Sequence, residues 1–399
     1  MSDVVVSFDF PPMIGGAHKW LYEIYSRWPT EVHVLTESYS KDLQKSREQR
    51  AFDSQAHGVL KISRRAHVLP RFDVFSLKYP GFLWGQISAI RELLQAGDCD
   101  DANGATIHAL RAVPEGLAAW IYCRAHPGTT RLVTYVHGEE VLVSQTSRQL
   151  RFLSRRVYKD SDLVIANSES TRRILEHAFP NVKSACIHPG VDARAFRAVR
   201  GVRESVRSKL EFQEDTIVVL ILARMEARKN HAMVIRAIGK LRQEGIPMAL
   251  ICGGGGPERE ALDRLTSELG LTQHVRFVGV VSEQEKPLIY SAADIFAMPS
   301  ITVGEMIEGF GIVFIEAAAA GLPTICGMTG GQREAILEGK SGFSVEGTVL
   351  DDVVEKIRQL AVNPGLRRQF GDAGLTLAEQ HDWEVLVQKV RSEVERSKI

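Results

Sequence analysis

The 399-residue chain is too long for one ordinary hydrophobic core and fits two domains of about 150–200 residues each. Apolar residues make up 44% of it and charged residues 25%, which is the balance of a soluble globular protein. Its 49 basic residues match its 49 acidic residues, so it lacks the basic excess typical of nucleic-acid-binding proteins. We therefore expect no nucleic-acid partner.

The start of the chain and its cysteines indicate the compartment. The first residues already follow a strand pattern and lack the basic and apolar stretches of a secretory leader, and no run approaches 18 apolar residues. The five cysteines are scattered, without a paired-cysteine motif or histidines at zinc spacing. Cys186 and Cys252 fall in apolar, strand-like runs, where we expect buried free thiols. A soluble, cytoplasmic protein is expected.

Short β-branched runs alternate with longer helical patterns along almost the whole chain. The predicted strands are Val4–Phe8, Val32–Leu35, Leu132–Val136, Leu163–Ala166 and Ala185–His188, then Ile217–Leu222, Met248–Cys252, Val275–Val278, Ile295–Met298 and Thr324–Cys326. The predicted helices between them include Ala17–Arg27, Arg148–Lys159, Ser170–Ala178, His231–Arg242, Glu258–Leu269 and Asp351–Leu360. This alternation is typical of βαβ units and therefore of parallel sheets. The expected fold class is α/β, with two Rossmann-like domains.

The join between the two domains is predicted near residues 189–192, where a strand ends before a charged stretch. We expect a first domain of residues 1–190, supplemented by a C-terminal helix within 380–399, and a second domain of residues 191–379. That last helix, predicted over Trp383–Lys398, is amphipathic. Ligands of such domains bind beyond the carboxyl ends of parallel strands, in the cleft that the domains enclose. The loops after strands are therefore the candidate sites.

Two loops of the first domain hold candidate ligand-binding residues. Gly15 and Gly16 stand at the first strand-to-helix turn, where glycines let backbone amides approach an anion; the alternative is a simple turn. The G-x-G-x-x-G of a dinucleotide site is absent here, which argues against an NAD enzyme. His137 follows an apolar strand and could bond a sugar hydroxyl or a phosphate; the alternative is a loop histidine bonded to backbone.

The second domain has two glycine-rich or basic loops after its first strands. Arg224 and Lys229 follow the strand Ile217–Leu222, and the pair suits a diphosphate, since arginine binds bidentately and lysine acts as a point charge. Two surface cations without a ligand are the alternative. The run Gly253–Gly256 ends the next strand. Gly254 in that run could bring backbone close to a nucleotide, or the run could be a plain turn.

The densest pattern is Pro299-Ser300 followed by Glu305–Pro323, in which a glycine-flanked loop at Glu308–Ile312 enters a helix that is apolar apart from one carboxylate, Glu316. A charge inside an apolar stripe is unfavourable unless it is paired. Glu316 lies roughly 7.5 Å along the helix axis from Gly311, at about 1.5 Å per residue. Two carboxylates so staggered can hold the two ends of an elongated, hydroxyl-bearing ligand while the helix N-terminus faces a diphosphate. The alternative is a structural buried glutamate.

Two short patterns imitate other sites and are rejected. Gly339-Lys340-Ser341 ends like a P-loop, but Glu334 stands where that motif needs its first glycine. Asp98-Cys99-Asp100 imitates a D-x-D metal motif but lies in a polar loop rather than after an apolar strand. We therefore expect neither a bound metal nor another cofactor.

Taken together and in this order, the motifs resemble glycosyltransferase family 4, the retaining GT-B enzymes. The resemblance spans nearly the whole chain, and its most specific part is the pair of glutamates eight residues apart with Gly-Phe-Gly between them. The matching features are Gly15-Gly16, His137-Gly138, Asn167-Ser168, Pro189-Gly190-Val191-Asp192, Arg224 with Lys229, Gly253–Pro257, Phe277-Val278-Gly279 and Glu308 with Glu316. It implies an acceptor-binding first domain, a nucleotide-sugar-binding second domain, and a last helix that crosses back onto the first.

The resemblance also implies a role for each candidate residue. Arg224 and Lys229 would hold the donor diphosphate. Glu316 would bond the ribose diol, and Glu308 and His137 would bond the transferred sugar. The remaining donor contacts would be Gly15, Gly16, Gly254, Gly309, Phe310, Gly311, Ile312 and the backbone near Val278, which would read the base.

Two positions depart from the family pattern. Ala223 and Asn230 stand where the family often has glycine, which weakens the match of that loop without touching Arg224 or Lys229.

Within the family, the chain is most similar to mannosyltransferases of the phosphatidylinositol-mannoside type, on the basis of Phe10-Pro11-Pro12, Glu308–Val313 and Gly330-Gly331. This implies retaining transfer of mannose from GDP-mannose to a hydroxyl of a glycan, lipid-linked or small-molecule acceptor, without a metal. A transferase for glucose or N-acetylglucosamine that uses a UDP-sugar is the alternative. So are an epimerase or phosphorolytic enzyme of this fold and, from another class, a non-catalytic nucleotide-sugar-binding protein.

Two basic stretches of the first domain bear on the acceptor. They are residues 61–71 and the predicted helix with Arg148, Arg151, Arg155 and Arg156, in which apolar residues are interleaved. Such stretches suit an anionic membrane surface or a lipid-linked acceptor, which would place the protein peripherally at the inner face of a membrane. The alternative is a solvated helix face.

Overall fold

The computed structural model describes residues 2–12, 15–66, 79–96 and 104–397. It divides the chain into two compact units, the first comprising Met1–Pro189 with Trp383–Ile399 and the second Gly190–Asp382. The division lies one residue before the join expected from the sequence. Three segments discussed in the sequence analysis lie outside the described residues. They are Met13-Ile14 of the first glycine loop, the whole of the rejected Asp98-Cys99-Asp100 motif, and residues 67–71 of the first basic stretch.

The described part of the first unit has a seven-stranded parallel sheet with the order β3-β2-β1-β4-β5-β6-β7. Its strands are β1 Ser2–Val6, β2 Val32–Glu37, β3 Leu60–Ala66, β4 Ala105–Ala109, β5 Thr130–Val136, β6 Leu163–Ala166 and β7 Ser184–Cys186. Its helices before the division are α1 Gly16–Tyr25, α2 Leu43–Asp53, α3 Tyr79–Ala96, α4 Leu117–Ala125, α5 Glu139–Gln145, α6 Arg148–Asp160 and α7 Glu169–Ala178.

The second unit has a six-stranded parallel sheet with the order β10-β9-β8-β11-β12-β13. Its strands are β8 Ile217–Leu222, β9 Met248–Gly253, β10 Val275–Gly279, β11 Ile295–Met298, β12 Thr324–Gly327 and β13 Gly342–Val345. Its helices are α8 Ala193–Ala198, α9 Arg203–Lys209, α10 His231–Gln243, α11 Arg259–Glu268, α12 Lys286–Ser291, α13 Ile312–Ala319, α14 Leu350–Val362 and α15 Pro364–Gln380. The central strands are continuous apolar runs because helices cover both faces of a parallel sheet.

The last helix, α16 Trp383–Arg396, follows the second unit in the chain but belongs to the core of the first. Its buried side chains pack in one cluster with Trp20 and Leu21 of α1. These side chains are Trp383, Leu386, Val387, Val390 and Val394. The amphipathic helix predicted at this end of the chain therefore has the predicted buried face.

The strand order fixes where ligands of each sheet are expected. In both sheets the first strand lies between the second and the fourth, which is the Rossmann strand order. The strand order of such a sheet reverses between its first and fourth strands, and this position is called the switch point. The switch point lies between β1 and β4 in the first unit and between β8 and β11 in the second. Loops that leave these strands at their carboxyl ends therefore adjoin the expected binding position of each unit.

The two Rossmann-like domains predicted from the sequence are confirmed, and the bounds of β6, β8 and β11 are those predicted. Three strands were missed. Strand β3 contains Lys61, Arg64 and Arg65, strand β4 contains the buried His108, and strand β13 contains Gly342 and Ser344, so none shows a continuous apolar run. The expected burial of Cys186 is wrong, since its strand β7 lies at the sheet edge and the residue is half-buried, whereas Cys252 is buried.

Candidate functional site

A glycine-rich loop in the second unit positions the loop that bears Arg224. A Cβ at Gly254 (φ +122°) would lie 2.0 Å from the carbonyl oxygen of Ala223, and one at Gly256 would lie 2.5 Å from that of Met225. The Met225 N–H also donates to the carbonyl oxygen of Gly255 at 2.9 Å. Only glycine permits this approach of two backbones. The run Gly253–Gly256 therefore has a structural role, whether it also approaches a nucleotide or is a plain turn.

Asn230, one of the two departures from the family pattern, adopts the left-handed conformation, with φ +63° and ψ +37°. Asparagine is one of the few residues other than glycine that tolerates this region. Its side-chain amide donates to the carbonyl oxygens of Pro299 at 3.0 Å and Gly347 at 2.7 Å. Asn230 therefore preserves the turn before α10 in place of the family's glycine, and its side chain connects that turn to the loop after β11.

Five charged side chains form one connected cluster after β8 and before α13, here called the charged cluster: Arg224, Glu226, Arg228, Lys229 and Glu308. The Glu226 carboxylate pairs with Arg224 at 3.1 Å and with Arg228 at 3.3 Å. The Glu308 carboxylate pairs with Arg228 at 3.3 Å and also with Lys229. Three cations and two carboxylates give a net charge of +1. The structure therefore brings together three residues predicted separately from the sequence and adds Glu226 and Arg228.

Exposure differs sharply within the charged cluster. The Arg224 side chain is 69% exposed, whereas those of the other four residues are at most 19% exposed. Burial raises the pKa of Glu308, but Lys229 and Arg228 outweigh it and hold the pKa below its usual value. Glu308 is thus an ionised acceptor held by two cations, and Arg224 is the cation best placed to turn toward a ligand.

The backbone of Glu308 is held by a second glycine pair. Gly330 has φ +67°, and a Cβ there would lie 2.2 Å from the carbonyl oxygen of Glu308. The Gly331 N–H donates to the same oxygen at 2.9 Å. The resemblance singled out this pair without giving it a role. Its role in the structure is to fix Glu308.

Helix α13 begins beside Glu308. Gly311 caps it in the left-handed region (φ +88°, ψ +75°), and a Cβ there would lie 2.6 Å from the Phe314 ring. Phe310 is buried, while Gly309 and Ile312 are half-buried. The first N–H groups of a helix have no partner within it, so this end is suited to an anion.

Glu316 is fully buried within α13 and is paired. Its Oε1 accepts from Lys286 Nζ at 2.9 Å, and its Oε2 accepts from the Tyr290 hydroxyl at 3.1 Å. Sequence reasoning required a partner for this carboxylate but did not find Lys286 or Tyr290. Val278 lies near the carboxyl end of β10, where the next residue, Gly279, accepts from the Gly254 N–H at 2.6 Å.

In the first unit, His137 follows β5. Its ring bonds the Leu110 backbone, and its Nε2 is a buried atom with no hydrogen-bond partner among the described residues. Burial lowers the pKa of His137 to about 3, with Arg111 and His18 acting in the same direction. The imidazole is therefore neutral, and with Nδ1 donating to backbone its Nε2 is an acceptor.

Polar residues that sequence reasoning missed surround the switch point of the first unit. Arg111, after β4, binds Asp9, after β1, with both terminal nitrogens at 3.1 Å, and also pairs with Glu115 at 3.4 Å. The His18 ring lies 3.9 Å from Asp9, and it packs on Gly15, where a Cβ would come within 2.6 Å of it. Gly16, the other predicted glycine, is the first residue of α1. Recognising β4 in the sequence would have pointed to Arg111.

The two basic stretches of the first unit differ in structure. Arg64 is buried against Asp53 at 2.7 Å, and Arg65 pairs with Glu92 at 2.8 Å, so these two arginines of the first stretch are neutralised within the fold. On α6 the four arginines 148, 151, 155 and 156 are exposed and form no ion pair within the described ranges. Phe152 among them is 57% exposed. In the part of the chain that the structure describes, no helix has the length and apolar character needed to span a membrane.

Family models match both halves of the chain. Residues 14–195 match the model described as Glycosyltransferase Family 4, and residues 202–376 match the model described as Glycosyl transferases group 1.

Curated relatives match almost the full length. A GDP-mannose-dependent alpha-(1-6)-phosphatidylinositol monomannoside mannosyltransferase of Mycobacterium tuberculosis is 31% identical over 398 residues, which covers 97% of this chain and 96% of the relative. A Corynebacterium glutamicum protein, named as the GDP-mannose-dependent mannosyltransferase of monoacylated alpha-(1-6)-phosphatidylinositol monomannoside, is 28% identical, with 97% and 96% covered.

Solved structures share the fold. A sucrose-phosphate synthase from Thermosynechococcus elongatus superposes with a TM-score of 0.79 at 19% identity and covers 99% of this chain and 98% of that one. The Anabaena protein HepE, in complex with UDP and glucose, superposes with a TM-score of 0.76 at 18% identity and covers 99% and 100%.

Proposed function

The chain belongs to glycosyltransferase family 4 and is a glycosyltransferase of the GT-B type, and from this premise we propose that it transfers mannose from GDP-mannose to a hydroxyl of a lipid-linked acceptor with retention of configuration. The near-full-length relatives named as GDP-mannose-dependent mannosyltransferases support the donor. Their named acceptor, a phosphatidylinositol monomannoside, is the first acceptor to test here.

The observation on which the mechanism rests is the charged cluster and its net charge of +1. When the anomeric C–O bond breaks, positive charge develops on the sugar and negative charge on the departing diphosphate. Cations fixed before the reaction stabilise that developing charge, often as the largest single contribution to catalysis. Arg224 binds the diphosphate, and the first amides of α13 face it. Because these groups supply the positive charge, the reaction proceeds without a divalent metal.

In this mechanism, Lys229 and Arg228 position Glu308. They hold the Glu308 carboxylate ionised and in one orientation, so that it accepts a hydroxyl of the transferred mannose. A hydrogen bond to an ionised acceptor is about twice as strong as a neutral one. Glu308 therefore fixes the sugar relative to the diphosphate that Arg224 binds.

Retention follows from front-face attack by the acceptor hydroxyl. The new bond forms on the side from which the diphosphate leaves, and a phosphate oxygen takes the proton of the attacking hydroxyl. Both carboxylates of the charged cluster are neutralised by two cations each, which makes them poor nucleophiles. This supports a mechanism without a covalent glycosyl-enzyme intermediate.

The remaining contacts are proposed for each unit by itself. Glu316 bonds the ribose diol, while Gly254 and the backbone near Val278 approach the base. The neutral His137 accepts a hydrogen bond from the sugar through Nε2, which is buried and has no partner among the described residues. Gly15 and Gly16 at the start of α1 approach a phosphate.

The acceptor is proposed to be lipid-linked because α6 presents four exposed arginines around the exposed Phe152. Arginines attract anionic headgroups, and an aromatic ring can enter the interface. Sedimentation with vesicles containing phosphatidylinositol tests this contact. Binding at low salt that weakens at high salt supports it, and equal recovery of protein with and without vesicles contradicts it.

The donor is tested by thermal shift and by transfer. GDP-mannose should raise the melting temperature more than UDP-glucose or UDP-N-acetylglucosamine, because a ligand stabilises the state that binds it. Product should form from GDP-mannose and a phosphatidylinositol monomannoside in excess EDTA, with the α configuration by NMR. A larger shift and turnover with a UDP-sugar would overturn the donor, and a β product would overturn retention. Donor binding without hydrolysis or transfer would favour a non-catalytic protein.

A further inference from the structure

Glu316, the residue to which the proposed function gives the ribose, is held by two side chains of another helix. Lys286 Nζ donates to Glu316 Oε1 at 2.9 Å, and the Tyr290 hydroxyl donates to Oε2 at 3.1 Å. Both donors lie on α12, one turn apart. A buried carboxylate held at each oxygen has one rotamer, so its remaining acceptor directions are fixed in space.

The two donors differ in kind. Burial raises the pKa of Tyr290 well above its usual value, with the charge of Glu316 acting in the same direction, so the phenol stays a neutral donor. Tyr290 also contacts the carbonyl oxygen of Val313 at 3.1 Å, so its single proton is shared between two acceptors. Lys286 therefore supplies the compensating charge for Glu316.

Lys286 is anchored at a second carboxylate. Its Nζ pairs with Glu283 Oε1 at 2.7 Å, and its side chain is only 14% exposed, compared with 52% for Glu283. The ammonium group bridges a half-exposed carboxylate and a fully buried one. Two ion pairs limit its motion more than one would, and this keeps it at Glu316 rather than in solvent.

Lys286 also has a suitable place in the fold. It is the first residue of α12, and the connection from β10 to α12 is short, running from Gly279 to Lys286. The base is expected near the carboxyl end of β10 and the ribose at Glu316. A nucleoside that spans these positions passes close to the start of α12.

We propose that Lys286 is a positioning residue for nucleoside recognition: it orients Glu316 so that the carboxylate selects the ribose 2′-hydroxyl of the donor. This inference rests on the proposed function, because it assumes that a nucleotide sugar binds at Glu316. It goes beyond that function in naming the residue that makes the ribose contact selective. Lys286 itself touches neither the reacting sugar nor the diphosphate.

The test compares ribose with deoxyribose. Isothermal titration calorimetry on the full chain measures the affinities for GDP, 2′-deoxy-GDP, UDP and 2′-deoxy-UDP. The wild-type protein should prefer the ribose form of its cognate diphosphate by about 10- to 100-fold, which is the value of a hydrogen bond to a charged group. Lys286→Met should lower this ratio to within about threefold of one, mainly by weakening the ribose form. The kcat at saturating donor should change by less than about threefold.

A double-mutant cycle covers the case in which Lys286→Met does not fold, because a buried carboxylate left unpaired is strongly destabilising. Lys286→Met/Glu316→Gln removes both charges together, so it is compared with Glu316→Gln alone. If Lys286 acts through Glu316, the two proteins have the same affinity for GDP within about twofold. A further tenfold loss in the double variant would overturn the proposal, because it would mean that Lys286 contacts the nucleotide directly.

Lys240→Met is the matched control. Lys240 also pairs with a carboxylate of the second unit, Asp351 at 2.6 Å, but on the exposed surface between α10 and α14. This variant should keep the wild-type ratio.

The outcomes separate the two ideas. A wild-type protein that selects ribose, together with a folded Lys286→Met that selects it equally well, overturns the inference and leaves the proposed function standing. A wild-type protein that binds no nucleoside diphosphate overturns both.

Discussion

Replacing Gly330 by alanine displaces Glu308 without removing any functional group. The new Cβ would lie 2.2 Å from the carbonyl oxygen of Glu308, whereas such contacts are hardly ever shorter than 3.0 Å. The Glu308 backbone must therefore shift by roughly 1 Å, and a misplacement of that size can lower the rate about 100-fold. We expect kcat/KM for GDP-mannose to fall by about that factor in Gly330→Ala, measured by transfer to a lipid-linked acceptor.

Gly339→Ala is the matched control for this prediction. Gly339 has the same φ of +67° but no atom within 4 Å of the position of its Cβ. Both variants bear the left-handed strain of about 1–2 kcal/mol, so both melting temperatures should fall, and that of Gly330→Ala should fall further because only its Cβ meets backbone. Only Gly330→Ala should lose activity in its folded state. Equal activity in the two folded variants would refute the reasoning that the position of Glu308 limits the reaction.

Three further predictions concern the supports of the site and its titration. Asn230→Ala should destabilise the protein by about 2–3 kcal/mol, through left-handed strain and two lost hydrogen bonds, and Asn230→Gly by less, as measured by thermal unfolding. Gly254→Ala should lower both the melting temperature and kcat/KM, because its Cβ would lie 2.0 Å from a backbone oxygen, whereas Gly245→Ala meets nothing within 4 Å. Burial lowers the pKa of His18 to about 3 and that of His231 to about 4. Each histidine therefore takes up a proton more readily in the unfolded chain, and the free energy of unfolding should fall as the pH drops below 6.5, by about 2 kcal/mol per histidine at pH 5.

Each of these predictions has a contrary result. Asn230→Ala could prove as stable as Asn230→Gly, which would mean that the left-handed turn carries no strain. Equal melting temperatures and activities for Gly254→Ala and Gly245→Ala would show that the two backbones can separate freely. For the titration, a melting temperature that stays level from pH 7 to 5, or one whose slope His231→Gln leaves unchanged, would contradict the assignment.

The sequence best predicted the features that lie close together along the chain, such as a strand, the loop after it and the next helix. Apolar runs such as Ile217–Leu222 located the buried strands, and the carboxyl ends of those strands located Arg224 and Lys229. Glycines before α13 and the spacing of Glu308 and Glu316 form the most specific part of the candidate site. These patterns are local because a strand, its loop and the following helix are contiguous.

The sequence could not predict the partners of the charged residues. Glu316 required a counter-ion, but Lys286 is 30 residues away in the chain and lies on another helix. Glu226 and Arg228 stand beside the predicted cations, yet nothing in the spacing says which charges meet. The role of Gly330 depends on a backbone 22 residues earlier. Such contacts are set by the tertiary fold.

In the first unit, sequence reasoning missed the polar residues at the switch point because it missed β4. Thr106 and the buried His108 break the apolar pattern of this strand. His108 is tolerated there because its ring meets Asp3 at 3.1 Å. Without β4, Arg111 had no apparent position, and neither did its pairing with Asp9.

The central claim is that cations of the second unit stabilise the leaving diphosphate, and Arg224→Ala tests it most directly. Arg224 is 69% exposed, and Glu226 keeps Arg228 as a partner, so the variant should fold normally. Its kcat/KM for GDP-mannose in excess EDTA should fall by about 10²–10³-fold, while Arg358→Ala, which removes a surface arginine paired with Glu244, should stay near wild type. An Arg224→Ala protein with nearly normal kcat/KM would contradict the account.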